Sequence, residues 1–164
     1  MLDGGAGSDS LYGGLGDDIL IGGAGNDVLD GGEGTNTYRF SAGFGQDRIV
    51  NEGFEPGVTR IEFDSSILAS QVIVETASPY GDSYNSLIIR VAGSNDRITI
   101  ENAFGFNGLS GIDSISFADG TIWTLDDITA QLGEKPGQYI DYGSGPDTLI
   151  GGAGDDVLDA GGGN

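Results

Sequence analysis

Aspartates recur every nine residues near the start of the chain, at Asp9, Asp18 and Asp27, and each precedes by two places a leucine, at Leu11, Leu20 and Leu29. A glycine-rich stretch comes before each one. Glycine admits positive φ and so lets a tight turn aim carbonyl oxygens inward, and a carboxylate beside such a turn completes an oxygen donor set for a hard cation. The 164 residues include no His and no Cys. Disulfides, nitrogen or sulfur metal sites, and mechanisms built on a His base or a Cys nucleophile are thereby excluded. With 26 acidic and 6 basic residues the net charge is −20. Such a chain repels nucleic-acid phosphates and anionic membrane surfaces and attracts cations.

The turns and aspartates belong to one repeat of nine residues. Its copies run Gly4–Tyr12, Gly13–Ile21 and Gly22–Asp30, then Gly31–Arg39 with Asn36 in place of Asp, and, after a two-residue insertion, Ala42–Val50 with Asp47. The pattern resumes as Tyr142–Ile150 with Asp147 and Gly151–Asp159 with Asp156, and Ala160–Asn164 begins a further copy. A disordered linker can be acidic and glycine-rich, but it has no reason to place an apolar residue two positions after every Asp. The last three residues of each copy read as a short strand whose middle side chain faces inward, which gives an inner face of Leu2, Leu11, Leu20, Leu29, Tyr38, Ile49, Leu149 and Leu158. The aspartates at other positions, Asp17 and Asp155, Asp3, Asp30 and Asp159, read as solvated surface charge.

These copies resemble the repeats-in-toxin (RTX) nonapeptide Gly-Gly-x-Gly-x-Asp-x-U-x, in which U is a large apolar residue. The segments Tyr38–Phe40, Gly45–Asp47, Ile61–Phe63, Leu87–Ile89, Asp96–Ile100, Asn102–Phe104 and Ile115–Trp123 resemble a haemolysin-type calcium-binding-protein-related domain, with Ala103 where that family usually shows Trp. The resemblance implies a parallel β-roll. Two repeats make one coil of 18 residues, so the turns of repeats n and n+2 become neighbours, and in the family a Ca2+ ion lies between them. It takes the second and fourth carbonyls and the Asp of one turn, with the first and third carbonyls and the Asp of the next.

Carried over, one site draws on Gly5, Gly7 and Asp9 with Gly22, Ala24 and Asp27. A second draws on Gly14, Gly16 and Asp18 with Gly31, Glu33 and Asn36, whose uncharged oxygen weakens it. A third takes Gly23, Gly25 and Asp27 with Ala42, Phe44 and Asp47, across a spacing of 20 rather than 18. Gly143, Gly145 and Asp147, and Gly152, Gly154 and Asp156, are the corresponding donors at the C-terminal end. Half-sites at Gly4, Ala6 and Asp9 and at the 151–156 turn call for neighbouring repeats of a parent protein, for a second copy stacked end to end, or for the C-terminal roll folded back on the first.

Between the repeats, residues 58–63, 72–76, 86–91, 96–101, 114–117 and 121–124 alternate or run apolar with β-branched enrichment, and read as strands of a mostly antiparallel layer or small sandwich. Leu125–Leu132 follows Thr124 and ends before Gly133, which predicts a short helix, and Asn102–Gly111 reads as a loop packed through Phe104 or Phe106. The expected fold is all-β, with an RTX roll over 1–50, a β-rich related domain over 51–136 and the start of a second, truncated roll over 137–164. Glu62, Glu75, Glu101 and Asp119 are the carboxylates an enzyme would need, yet their alternation with apolar residues marks a solvent face, and no nucleophile elbow or phosphate loop occurs. The functional expectation is a non-enzymatic, calcium-binding structural module of a larger secreted protein. The alternative is a calcium-dependent glycan-binding or adhesion module using Tyr80, Tyr84 and Tyr139. No run is long and apolar enough for a membrane span.

Overall fold

The computed structural model describes residues 1–50, 58–76, 86–105, 108–109, 111–132, 139–141 and 157–159, with backbone alone for 58, 104–105, 108–109, 139–141 and 157–159. They fall in two compact units, Met1–Thr129 and Ala130–Asn164.

In the first unit the repeats supply β1 (Leu2–Asp3), β2 (Ser10–Tyr12), β3 (Ile19–Ile21), β4 (Val28–Asp30), β5 (Thr35–Phe40) and β6 (Gln46–Ile49). Strands do not pair with their sequence neighbours. Leu2 pairs with Leu20 and Leu20 with Tyr38, while Leu11 pairs with Leu29 and Leu29 with Ile49, all in parallel. Odd strands thus build one sheet and even strands another, one strand in each per coil, because a glycine turn reverses the chain after each short strand. The three-residue strands β2, β3 and β4 bury one side chain each. Leu11, Leu20, Leu29, Tyr38 and Ile49 are all buried, and Leu2 on the edge strand is half-buried.

The following strands are β7 (Val58–Phe63), β8 (Val72–Thr76), β9 (Leu87–Val91), β10 (Arg97–Ile100), β11 (Phe104–Gly105), β12 (Gly108–Leu109), β13 (Ser114–Phe117) and β14 (Ile122–Thr124). All but β11 and β12, which pair with each other, complete two six-stranded sheets, in the orders β1-β3-β5-β7-β13-β14 and β2-β4-β6-β10-β9-β8. Where a mostly antiparallel layer was expected the sheets are mixed: β7 adds in parallel to β5, β13 to β7 and β10 to β6. The repeats leave two parallel edges with unpaired amides and carbonyls, and the next strands satisfy them in the same direction. Antiparallel pairing enters with β9 against β10, β8 against β9 and β14 against β13. Pairing therefore runs unbroken past residue 50.

A row of aromatic rings crosses the first sheet, with centroids 4.8 Å apart for Phe40 and Phe44, 6.0 Å for Phe40 and Phe63, 5.5 Å for Phe63 and Phe117, and 5.0 Å for Phe117 and Trp123. Ala103 is wholly buried. Phe104 and Gly105 pair with Leu109 and Gly108 as a short hairpin where a plain loop was expected, and Phe106 lies outside the described residues. Helix α1 (Leu125–Leu132) is capped by a box in which the Asp127 carboxylate accepts the Thr124 amide at 2.9 Å and the Thr124 hydroxyl faces the Asp127 amide at 3.4 Å. Within the second unit, β15 (Tyr139–Asp141) and β16 (Val157–Asp159) pair in parallel, Ile140 opposite Leu158, an offset of 18 residues like that of the first coils.

Leu29 is fully buried between neighbours in the even sheet, whereas Ile122 is 60% exposed. Leu29→Ala is expected to cost about 2–5 kcal/mol in urea denaturation in millimolar calcium, and Ile122→Ala no more than about 0.5 kcal/mol.

Candidate metal centre

Stacked strands carry their turns into register, so the turns form columns. One column holds turns 4–9, 22–27 and 42–47, and the other holds 13–18 and 31–36. Within a column the backbones bond directly: the Ala24 amide donates to the Gly5 carbonyl at 2.7 Å and the Gly7 amide to the Ala24 carbonyl at 2.8 Å. The second column repeats this, with Glu33 donating to Gly14 at 2.9 Å and Gly16 to Glu33 at 3.1 Å. The carbonyls expected as ligands are thus already aligned in pairs, each with a lone pair to spare. Glycine is required for close approach as well as for conformation. A Cβ on Gly25, whose φ is +151°, would lie 1.6 Å from the Gly7 oxygen.

The carboxylates stack in the same way. Asp27 accepts the Asp9 amide through Oδ1 at 2.8 Å, and Asp47 accepts the Asp27 amide through Oδ1 at 2.8 Å. Asp27 and Asp47 therefore each reach back to the preceding turn with one oxygen. The other oxygen, Oδ2, is buried and without a hydrogen-bond partner on Asp9, Asp27 and Asp47. Three such orphans in one column violate the rule that buried charge is paired, unless a cation faces them. A Cβ on Gly4 would lie 2.8 Å from Asp9 Oδ2 and 2.7 Å from the Gly22 carbonyl of the next turn, so only glycine keeps open the space these two oxygens share. Gly13 stands in the same relation to Asp18 Oδ2 and the Gly31 carbonyl, at 2.8 and 2.6 Å. Burial pushes the Asp47 carboxyl up to about 7, opposed by the Asp27 amide and reinforced by the charges of Asp27 and Asp96. An ionised Asp47 hence weakens the cation-free fold as pH rises from the unfolded carboxyl value through about 7.

Asn36 departs from this pattern. Its Oδ1 accepts the Asp18 amide at 3.1 Å, as an Asp would, but its Nδ2 donates to the Gly32 carbonyl at 3.1 Å. That bond engages a position-two carbonyl from within the turn, whereas the position-two carbonyls of Gly5 and Gly14 accept amides of the next turn, from Ala24 and Glu33. In the third turn of the first column, the Gly25 amide donates to Phe44 at 3.0 Å and Gln46 donates to Gly25 at 3.2 Å. Positions three to six of that turn therefore stack despite the insertion. Positions one and two do not: a Cβ on Gly43 would meet nothing, and the Ala42 amide donates to Ser66 Oγ at 2.8 Å.

Asp17 is engaged rather than simply solvated. It accepts the Thr35 amide of the next turn at 2.7 Å, and Asn26 accepts the Gln46 amide at 3.0 Å. Asp30 accepts the Gly32 amide at 3.0 Å. Asp96, which nothing in the repeat pattern singles out, accepts the amides of Gly43 at 2.8 Å and Gly45 at 3.0 Å. Its signal was the strand following it, in step with Gln46–Ile49. Gly143, Gly145, Asp147, Gly152, Gly154 and Asp156, and the side chains of Tyr80, Tyr84 and Tyr139, lie outside the described residues, as do Leu149 and Asp155.

The remaining carboxylates are held at the surface by arginines. Arg39 Nε lies 2.6 Å from Glu62, Arg48 Nε 2.9 Å from Glu101 and Arg90 Nε 2.9 Å from Glu75, while Asp119 accepts the Thr121 amide at 2.8 Å. Among the described residues no three acidic side chains converge on one point, so carbonyl oxygens must make up the greater part of any cation shell here.

Parallel coils, glycine turns in register and buried carboxylate oxygens without partners define a calcium-binding repeat protein. The family model for the RTX calcium-binding nonapeptide repeat matches residues 3–38 and 141–164, and that for the haemolysin-type calcium binding protein related domain matches residues 87–127. The chain carries RTX nonapeptide repeats, whose ligand is Ca2+, on both sides of that related domain. A comparison with curated proteins gave no match.

Asn36→Asp is expected to act with opposite signs. In chelator it loses the bond to Gly32 and buries another charge, lowering the melting temperature; in millimolar calcium it tightens binding at the second column and raises it. Melting in both conditions checks the pair of outcomes.

Proposed function

We propose that the chain is a calcium-binding structural module of a larger secreted protein, without catalytic activity, in which repeats at both ends form parallel β-rolls around the related domain and brace or space neighbouring domains. The observation that carries this reading is the set of buried, unpartnered Oδ2 atoms on Asp9, Asp27 and Asp47 beside stacked glycine turns. The donors are Gly5, Gly7 and Asp9 with Gly22, Ala24 and Asp27; Gly14, Gly16 and Asp18 with Gly31, Glu33 and Asn36; and Gly23, Gly25 and Asp27 with Phe44 and Asp47. Bound calcium would supply the positive charge that the Oδ2 atoms of Asp9, Asp27 and Asp47 lack. The protein's part is to hold carbonyls at the turn and keep a Cβ out of the space, as Gly4 and Gly13 do.

Calcium also supports an export role. Ions with affinity near 0.1 mM contribute about 1.5 kcal/mol per site at roughly 1–2 mM calcium and almost nothing at submicromolar calcium. With −20 of net charge opposing compaction, the repeats stay unfolded in a low-calcium cytosol and fold outside, which suits a one-step type I secretion route. The described residues contain no helix long and apolar enough to cross a membrane.

Asp27 belongs to two of the three donor sets, and Asp30 to none. Calorimetric titration with calcium is expected to show Asp27→Ala losing binding at both, while Asp30→Ala keeps the wild-type ion number and loses only the stability of one turn hydrogen bond, about 0.5–1.5 kcal/mol. Equal losses of bound calcium would refute the register.

A further inference from the structure

We propose that a further calcium site closes the Asp9–Asp27–Asp47 column, with Asp96, from outside the repeats, standing in for the turn that would come next. The inference rests on the reading that the stacked turns hold calcium.

The substitution can be followed bond by bond. In each turn of this column the amide at position four donates to the position-three carbonyl of the next turn: Gly7 to Ala24 at 2.8 Å and Gly25 to Phe44 at 3.0 Å. In the last turn the corresponding amide, Gly45, donates to Asp96 Oδ1 at 3.0 Å. Asp96 Oδ1 thus stands where the position-three carbonyl stands one and two coils earlier, and that carbonyl belongs to the proposed donor sets. The strand that follows keeps the same step. Arg97 donates to the Gly45 carbonyl at 2.7 Å as Gln46 donates to the Gly25 carbonyl at 3.2 Å, and Ile98 pairs with Asp47 in parallel. The Gly43 amide, donating to Oδ2 at 2.8 Å, and the Ser94 hydroxyl, accepting the Asp96 amide at 3.0 Å, fix the carboxylate, which is 7% exposed as a residue.

The other half of the site is Asp47. Its Oδ1 is spent on the Asp27 amide, and its Oδ2 is buried with no partner in a residue 1% exposed. A carboxylate oxygen left so at the end of a column, with a second buried carboxylate facing the same turn, calls for a divalent cation that takes oxygen ligands. The second column shows the contrasting solution. Its last turn carries Asn36, whose Nδ2 bonds the Gly32 carbonyl and leaves no charge to balance. One column ends on an amide and needs no ion; the other ends on two carboxylates and takes one.

Calcium titration of the full chain by calorimetry, starting from chelator-stripped protein, tests the assignment with three proteins in parallel. Asp96→Asn is expected to bind one ion fewer per chain than wild type while keeping the sites shared by Asp9, Asp27 and Asp47. Asp27→Ala, the control for the repeats, loses binding whether or not the Asp96 site exists. An Asp96→Asn protein with the wild-type ion number and affinities, merely less stable, would make Asp96 a cap on two amides and overturn the proposal alone. A wild type that binds no calcium overturns the repeat reading as well. Where Asp96→Asn fails to give a β-type circular dichroism spectrum in calcium, Asp96→Glu decides: the displaced carboxylate is expected to weaken one ion at least tenfold and leave the others, and an unchanged titration refutes the site.

Discussion

Like charge stacked in register is the constraint on which the first coils depend. A parallel repeat places the same residue of every second copy one strand spacing apart, so Asp9, Asp27 and Asp47 bring their carboxylates together at about 4.8 Å intervals. At an effective dielectric near 20, adjacent ionised carboxylates at that separation repel by roughly 3 kcal/mol. Backbone amides relieve part of this, each donating to Oδ1 of the next Asp. They leave Oδ2 unanswered. Since a thin coil buries few apolar side chains per strand, it has little apolar gain to set against the remainder, and on the proposed function a divalent cation held there would offset it.

The same constraint accounts for how the columns end. A repeat array that stops needs its last turn's amides satisfied and its last carboxylate balanced. In one column, an asparagine in the aspartate's place brings no charge to balance, while the Tyr38 hydroxyl and the Asp30 carboxylate accept the amides of Gly31 and Gly32. In the other, a segment arriving from the related domain lays a strand along β6 and presents Asp96 to the amides of Gly43 and Gly45. The related domain is therefore a continuation of the repeat's own sheets, in which parallel strands satisfy the open edges before antiparallel hairpins take over. The aromatic row from Phe40 in the repeats to Trp123 supplies the broad apolar packing that the three-residue strands lack.

What the sequence made legible follows from periodicity. A nine-residue period with a fixed apolar place determines which side chains are inside, so Leu11, Leu20, Leu29, Tyr38 and Ile49 are buried as their position demands, and the strands of residues 58–124 other than the 104–109 hairpin, with helix α1, follow from alternation and from the Thr124 cap. Direction is not written in alternation. A strand in β7 or β10 reads the same whether it pairs parallel or antiparallel, and the choice is set by the edge it meets. Asp96 was invisible as a site residue for a related reason, because its partners, Gly43 and Gly45, lie about fifty positions away in sequence. The opposite roles of the Asn36 oxygen and nitrogen were half legible: loss of charge was evident, but the bond back to Gly32 depends on the turn's closed shape.

Native-state hydrogen exchange at the amides of Asp9 and Asp27, which donate to the next carboxylate in the column, tests the dependence on calcium most directly. In millimolar calcium both amides are expected to be strongly protected together with the strands Ser10–Tyr12 and Val28–Asp30, and on chelation that protection is expected to collapse across the repeats. Protection that survives chelation unchanged at neutral pH would contradict the central claim, because the stacked carboxylates would then be stable without an ion between them.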